Sequence, residues 1–336
     1  MGDFSTLIQD WYRLNKRNLP WRRTKSAYKV WISEIILQQT QVIQGLDYYL
    51  KFTTHFPTIF DLAKADEDEV LKLWQGLGYY SRARNLHFAA KQVVNDFNGE
   101  FPITYKDLLK LKGVGEYTAS AVSSIISNLP HAVVDGNVFR VLGRCFLIDT
   151  AINSTQGKKE FTLLANDLLD VNHPGDHNQA LMEIGALICK PKNPKCDICP
   201  ISSKCLGFEK QTMLNYPVKD KKIKIRNRYL NYIVTTDKIS LIIKKRGPKD
   251  IWQGLFDFPL IETDKEVDQL EKGIYLDKRF KHILSHQHIY ASFWIKEVNE
   301  LKIVDNEQFI KISDLDNYPL PQLLVKYLKS STYFNC

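Results

Sequence analysis

The spacing of apolar residues changes character about two-thirds of the way along the chain. Up to residue 216 it is helical. Between Val30 and Tyr49, the residues Ile32, Ile35, Ile36, Val42 and Ile43 recur at helical intervals, which predicts helix across the segment. The acids 66–69 precede Leu71, Leu73 and Trp74, as expected beside the positive end of a helix dipole. Thr104 is placed to cap a helix carrying Leu108, Leu109 and Leu111. A further helix, with Ala119, Val122, Ile125 and Ile126, follows Gly113-Val114-Gly115, and Asp135 stands at a cap position ahead of Val138, Val141 and Leu142. From Tyr229 onward the texture is that of strands, at 232–235, 240–243 and 292–295, closed by an amphipathic helix through Leu320, Leu323, Leu324, Tyr327 and Leu328. The chain therefore reads as a multidomain protein. Residues 1–216 form an all-α domain, 217–228 a linker opening at Pro217, and 229–336 a second domain of α/β type. No tandem repeat or low-complexity segment interrupts this order.

Length supports that division, since 336 residues suffice for two separate cores. With 44% apolar and 25% charged residues the composition is that of an ordinary globular protein. No apolar run reaches the length of a membrane span, and the N-terminus has no basic region followed by an apolar stretch. The expectation is a cytoplasmic protein in a reducing compartment, without a membrane partner, and nothing demands more than a monomer.

Charge is unevenly placed. Between Lys190 and Arg228 there are eleven basic residues against three acidic ones, so this stretch carries the whole net charge of +8. Such a block suggests a surface that faces phosphates, with a solvated linker as the plainer alternative.

The same stretch holds four of the six cysteines. Cys189, Cys196, Cys199 and Cys205 fall within seventeen residues at spacings x6, x2 and x5. Four thiolates suit zinc or a 4Fe–4S cluster, but structural zinc sites usually pair two close hooks, and only Cys196 and Cys199 form one here. Free thiols are the third reading. Cys145 lies in an apolar helix pattern and reads as core, and Cys336 has no partner in view.

Upstream, Leu111-Lys112-Gly113-Val114-Gly115-Glu116-Tyr117 sets two glycines between helices. Glycine lets backbone approach a phosphate, and the following helix offers free amides, although a plain helix end explains a lone GVG equally well. Glu34 is a second anomaly, a carboxyl side chain inside the apolar stretch Ser33-Glu34-Ile35-Ile36-Leu37-Gln38-Gln39-Thr40. Burial would raise its pKa and keep it protonated near neutrality, which suits a general acid, while an interhelical hydrogen bond is the bland alternative.

Hairpin, cysteine spacing and the 33–42 stretch together resemble the helix-hairpin-helix glycosylases of the endonuclease III superfamily, and most closely its MutY branch. The resemblance covers most of residues 1–216. It implies a 4Fe–4S cluster on the four cysteines. It also implies double-stranded DNA as partner, carrying adenine opposite 8-oxoguanine, and association with the nucleoid if the source is bacterial. Excision of the flipped adenine would follow, with Glu34 protonating a ring nitrogen and Asp135, in Val134-Asp135-Gly136-Asn137, supporting the cationic sugar. Asn137 would hold the strand or that carboxylate. Gly113 and Gly115 would face phosphate. Trp21 and Arg22, in Leu19-Pro20-Trp21-Arg22, would line the adenine pocket, and Glu183 would read the base. Gln39, Thr40, Leu77 and Tyr79 would surround the orphaned partner or wedge beside it.

Tyr117 separates the branches. Bifunctional relatives carry a lysine nucleophile at the matching position, whereas a tyrosine cannot form a Schiff base, so strand cleavage is not expected. A thymine-glycol-type lyase and a non-catalytic iron–sulfur DNA-binding protein are the competing readings. The first is disfavoured by Tyr117 and the added domain, the second by the presence of both acids. Residues 229–336 resemble, more weakly, the MutT-like domain of the same family. No clustered-glutamate box follows Gly254-Leu255-Phe256-Asp257-Phe258-Pro259, so nucleotide hydrolysis is not expected. His282-Ile283-Leu284-Ser285-His286 matches the family's lesion-reading loop, with Leu284 in place of its phenylalanine and Ser285 placed to hydrogen-bond the oxidised guanine. Nearby His282, His286 and His288 lack an acid or cysteine to complete a metal set.

Overall fold

The computed structural model describes residues 2–220, 225–304 and 306–334. Its helices run α1 (Gly2–Asn15), α2 (Ala27–Leu37), α3 (Val42–His55), α4 (Ile59–Lys64), α5 (Glu67–Leu73), α6 (Ser81–Asp96), α7 (Tyr105–Leu108), α8 (Glu116–Ser127), α9 (Gly136–Phe146), α10 (Thr155–Leu168), α11 (Pro174–Leu187) and α12 (Leu206–Glu209). Strands follow as β1 (Arg226–Thr236), β2 (Ser240–Lys245), β3 (Phe256–Asp257), β4 (Leu260–Thr263), β5 (Ile274–Ile283), β6 (Gln287–Glu297) and β7 (Glu307–Lys311), and α13 (Gln322–Ser330) closes the chain. Among the described residues no helix is long and apolar enough to cross a membrane.

Local chemistry sets several of the boundaries. Ser26, Thr104 and Ser154 cap α2, α7 and α10 through their hydroxyls, each accepting from an N–H three residues on. Asp135 caps α9 with its carboxylate. The helix expected across 30–49 is two helices. Gln39 turns the chain between them with φ +55°, a left-handed backbone that no glycine or proline announces. The proposed linker at 217–228 is shortened at its far end, because β1 already begins at Arg226, and residues 221–224 lie outside the described ones. Cys336 lies outside them too.

Two compact units result, and they do not follow the single cut placed at the linker. The first gathers residues 1–49, 56–63 and 88–221, and the second gathers 50–55, 64–87 and 222–336. The segment carrying Leu77 and Tyr79 thus belongs with the sheet.

In the first unit, α11 packs on α1, α8 and α9. Its core joins Phe4, Ile8 and Tyr12 to Val138, Leu142, Phe161, Leu181 and Ile184. Buried polar groups pin α1 to α11. Ser5 Oγ lies 2.7 Å from His177 Nδ1, and Gln9 Nε2 donates to Ser5 Oγ and to Asp170 Oδ2, both at 2.9 Å.

In the second unit the strands run β3-β2-β1-β6-β5, with β4 on β1 and β7 on β2. β1 and β6 pair in parallel from Arg226↔Gln287 to Thr236↔Glu297, and the other pairs are antiparallel, so the sheet is mixed. That register sets Tyr232 opposite Phe293, and their rings stack at 4.9 Å. Tyr327 of α13 then stacks on Phe293 at 3.8 Å, covering the sheet.

His177 gives this core a pH dependence. Burial lowers its pKa to about 4, against an opposing pull from Asp170. An unfolded chain would protonate it near 6.5. The neutral ring therefore contributes stability that is complete above pH 6.5 and lost as pH falls towards 4, about 3 kcal/mol in all. In urea unfolding, the stability difference between wild type and His177→Gln should shrink by that amount across the window. A difference that stays constant would contradict a buried neutral histidine.

Candidate active site

In the first unit α2 and α8 meet at one carboxyl group. Glu34 sits on α2 among Trp31, Ile32, Ile35 and Ile36 and is only 7% exposed. Its Oε2 accepts from the Tyr117 hydroxyl at 2.9 Å. Burial pushes its pKa up to about 7, and the nearby Asp135 charge adds to this, while the Tyr117 hydrogen bond and Arg22 hold it back. The result is a carboxyl that exchanges a proton near neutrality. Tyr117 itself is driven well above its ordinary value by burial and by the two carboxylates, so it remains a hydroxyl donor. Met182 Sδ lies 3.6 Å from the same hydroxyl.

Tyr117 is the second residue of α8, immediately after the hairpin. Gly113 takes φ +79°, and Gly115 precedes α8 with open space where a side chain would stand. No side chain caps this helix, whose first amides and positive dipole end are available to an anion. Gln38 Nε2 donates to Thr118 Oγ1 at 3.3 Å, tying the end of α2 to the same turn. Gln39 is exposed and Thr40 half-buried in the turn that follows.

Asp135 is the second carboxylate. Its Oδ1 accepts the N–H groups of Asn137 and Val138, and its Oδ2 accepts from Asn137 Nδ2, each at 2.8 Å. Burial raises its pKa, and these hydrogen bonds together with Arg140 oppose the rise. Arg140 donates to Asn137 Oδ1 at 2.8 Å, to Gly185 O at 2.7 Å and to Cys189 O at 2.6 Å. The capping network therefore runs directly into the cysteine segment. Gly185 permits it, since a Cβ there would meet Asn137 Cβ at 2.5 Å.

Glu183, on α11, is buried with two arginines closed around it. Arg17 Nε and Nη2 donate at 2.9 and 2.6 Å, and Arg22 Nη1 and Nη2 at 2.9 and 2.8 Å. Burial would raise its pKa, but the double fork wins and holds it at about 2. Trp21 lies in the turn before Arg22, buried with its ring edge-on to Tyr49 at 5.0 Å.

Cys189, Cys196, Cys199 and Cys205 line one pocket together with Arg144, Ile188, Ile201, Phe208 and Met213. Arg144 is buried, and its guanidinium donates to Cys189 Sγ at 3.4 Å and to the Lys190 and Pro191 carbonyls. Among the described residues no three His, Cys, Asp or Glu side chains draw together tightly enough for a single metal ion. Cys145 is buried in the helical core, as its pattern suggested.

In the second unit, Tyr79 is half exposed and takes φ +48°, between Gly78 at φ +74° and the helix α6. Its hydroxyl lies 3.4 Å from Ser285 Oγ, in the loop joining β5 and β6, and His286 Nδ1 lies 3.3 Å from the same oxygen. Leu284 is half-buried and its N–H closes the loop onto Gln287 O at 2.9 Å. Leu77, expected to surround the partner base or wedge beside it, is packed, with 8% of its surface exposed.

Sequence reasoning missed Arg17, Arg140 and Arg144. Arg17 meets Glu183 from 166 positions away, which no local signal reports. Arg140 and Arg144 carried a readable sign, since they recur at helical spacing after Asn137 and so share a face of α9.

Comparison with known proteins gives two matched families. Residues 32–166 match the HhH-GPD superfamily of base excision DNA repair proteins, and residues 231–330 match the NUDIX domain. The adenine DNA glycosylase of Buchnera aphidicola subsp. Schizaphis graminum is 38% identical over 311 residues, 92% of this chain and 89% of the relative. That of Buchnera aphidicola subsp. Baizongia pistaciae is 35% identical over 347 residues, 98% of each. Among solved structures, a thermostable thymine-DNA glycosylase aligns with a TM-score of 0.57 and 33% identity, over 62% of this chain and 95% of its own.

The buried carboxyl predicts its own energetic signature. Because folding raises the Glu34 pKa, ionising it costs stability as pH climbs from 4.5 through 7, to a limit of about 3 kcal/mol. Glu34→Gln, which cannot ionise, should be more stable than wild type at pH 8 by up to that amount, with the gain fading by pH 5. Equal stability of the two proteins at pH 8 would mean that Glu34 is solvated.

Proposed function

The chain belongs to the adenine DNA glycosylase family of base-excision enzymes, and from that premise we propose that it hydrolyses adenine from pairs with 8-oxoguanine, and with guanine, without cutting the strand. The observation that carries the chemistry is Glu34, a carboxyl held near a pKa of 7 at 2.9 Å from Tyr117.

An extruded adenine reaches this carboxyl, and Glu34 delivers its proton to a ring nitrogen. The bond between the base and C1′ breaks, its electron pair leaving with the base, and positive charge develops on the deoxyribose. Asp135 answers that charge. With three donors on its two oxygens it is arranged as a fixed carboxylate, and a fixed anion needs no reorganisation as the cation forms. Water adds at C1′, and the proton it loses returns to the Glu34 carboxylate, which restores the acid. Glu183, locked by Arg17 and Arg22, is an ionised acceptor suited to the exocyclic amine of adenine. The uncapped start of α8 and the glycines at 113 and 115 suit a DNA phosphate. Gln39, exposed, and Thr40, half-buried, would lie beside the orphaned partner base.

Ser285 and Tyr79 carry the proposed lesion preference. The N7–H of 8-oxoguanine is a donor where guanine has an acceptor, and a hydroxyl oxygen can accept from it. The 3.4 Å approach of Tyr79 to Ser285 supports one reading group made of both residues.

The four thiols around one pocket, with the buried Arg144 cation beside them to offset anionic sulfur, suit a 4Fe–4S cluster. Cys189, Cys196, Cys199 and Cys205 would hold it, and its contribution would be to brace residues 189–205 and, through Cys189 O and Arg140, the cap around Asp135.

Duplexes with adenine opposite 8-oxoguanine test the reading. Breaks should follow alkali only, and Glu34→Gln should lower the single-turnover rate by at least about a hundredfold. Breaks without alkali would restore the lyase reading, and an unchanged rate would remove Glu34 from the chemistry. The purified protein should be yellow-brown and bleach on iron chelation with loss of DNA binding; a colourless protein with one stoichiometric zinc contradicts the cluster.

A further inference from the structure

The hydroxyl that serves Glu34 has a second acceptor within reach. Tyr117 Oη stands 2.9 Å from Glu34 Oε2 and 3.6 Å from Met182 Sδ. A hydroxyl has one hydrogen, so the two acceptors compete for it. At present the competition is one-sided, because a carboxyl oxygen is a strong acceptor and a thioether sulfur a weak one. Met182 is half-buried at the edge of the helical core, not sealed within it.

We propose that Met182 is an oxidation site through which a hydroperoxide disarms the proposed acid Glu34. The proposal rests on the reading of Glu34 given above. A sulfur lone pair attacks the outer oxygen of the peroxide, the O–O bond breaks and an S=O bond forms. The leaving oxygen keeps the bonding pair and takes up the displaced proton, so hydrogen peroxide ends as water. Sulfur loses two electrons and the peroxide gains them. The product places a polar sulfoxide oxygen where a weak acceptor had been, and that oxygen draws the Tyr117 hydrogen away from Glu34. Glu34 then loses the Tyr117 hydrogen bond, which together with Arg22 holds its pKa down and which ties the carboxyl to α8. Base excision falls, and it returns when methionine sulfoxide reductases restore the thioether.

Methionine is scarce in this chain, which makes the test clean. There are three in all, and the only other one among the described residues is Met213, beside the cysteine pocket. Wild type and M182L, both cluster-replete, are exposed to hydrogen peroxide at doses that leave the visible absorbance unchanged. Peptide mass spectrometry locates each added oxygen. Each treated rate is divided by the same protein's untreated rate. Wild type should lose at least about tenfold in step with oxygen gained at Met182. It should recover with the reductases, and the M182L ratio should stay near one. Carboxyl NMR gives a readout independent of turnover, in which the titration midpoint of Glu34 should move upward on oxidation. That shift separates failure of this proposal from failure of the glycosylase reading. An oxidised Met182 with an unmoved Glu34 midpoint would overturn the proposal. So would equal losses in M182L, or a Met182 that stays reduced while Met213 is oxidised.

Discussion

Glu34 is a charged residue type placed where charge is expensive. Water would hold its carboxyl ionised at neutral pH. Burial removes that support, and the phenol of Tyr117 donates a hydrogen bond to it. The balance settles near pH 7, where a carboxyl can give up a proton and recover it. Much of the first unit serves this arrangement. α2 carries the acid, the hairpin glycines aim α8 so that its second residue reaches it, and Gln38 fastens the end of α2 to Thr118.

Burial raises the pKa of the other carboxylate too, but several hydrogen bonds and Arg140 oppose the rise. Asp135 is also mostly enclosed, yet three donors converge on it from its own helix end, and Arg140 stands behind Asn137. Two acids of similar intrinsic strength are thus separated by environment, one left with a single donor and one saturated with them. The same arginine reaches the Cys189 carbonyl, so whatever orders the cysteine loop also orders the cap around Asp135. Glu183 completes the set as a third carboxyl, held fully ionised by Arg17 and Arg22.

Much of this was legible in the sequence. The change from helical to strand periodicity located the two architectures, Asp135 was readable as a cap, and a glutamate in an apolar run marked a buried carboxyl. Other features were not legible, for physical reasons. The turn at Gln39 uses left-handed backbone on a side chain that rarely adopts it, and no glycine or proline marks it. The pairing of Arg17 with Glu183 depends on α1 and α11 meeting, which only the folded core determines. Periodicity shows that Leu77 is apolar, but its burial follows from tertiary packing. Residues 50–55 and 64–87 read as part of the helical domain and yet gather with the sheet, because local pattern says nothing about which core an amphipathic helix joins.

In this mechanism the reaction depends on a proton held by Glu34. The most direct measurement is the pH dependence of the single-turnover rate of adenine release, with DNA saturating at every pH. The rate should be level below pH 7 and fall tenfold per pH unit above it, with that limb displaced to higher pH in Tyr117→Phe. A rate that is flat from pH 6 to 9, or a limb that Tyr117→Phe leaves in place, would contradict it.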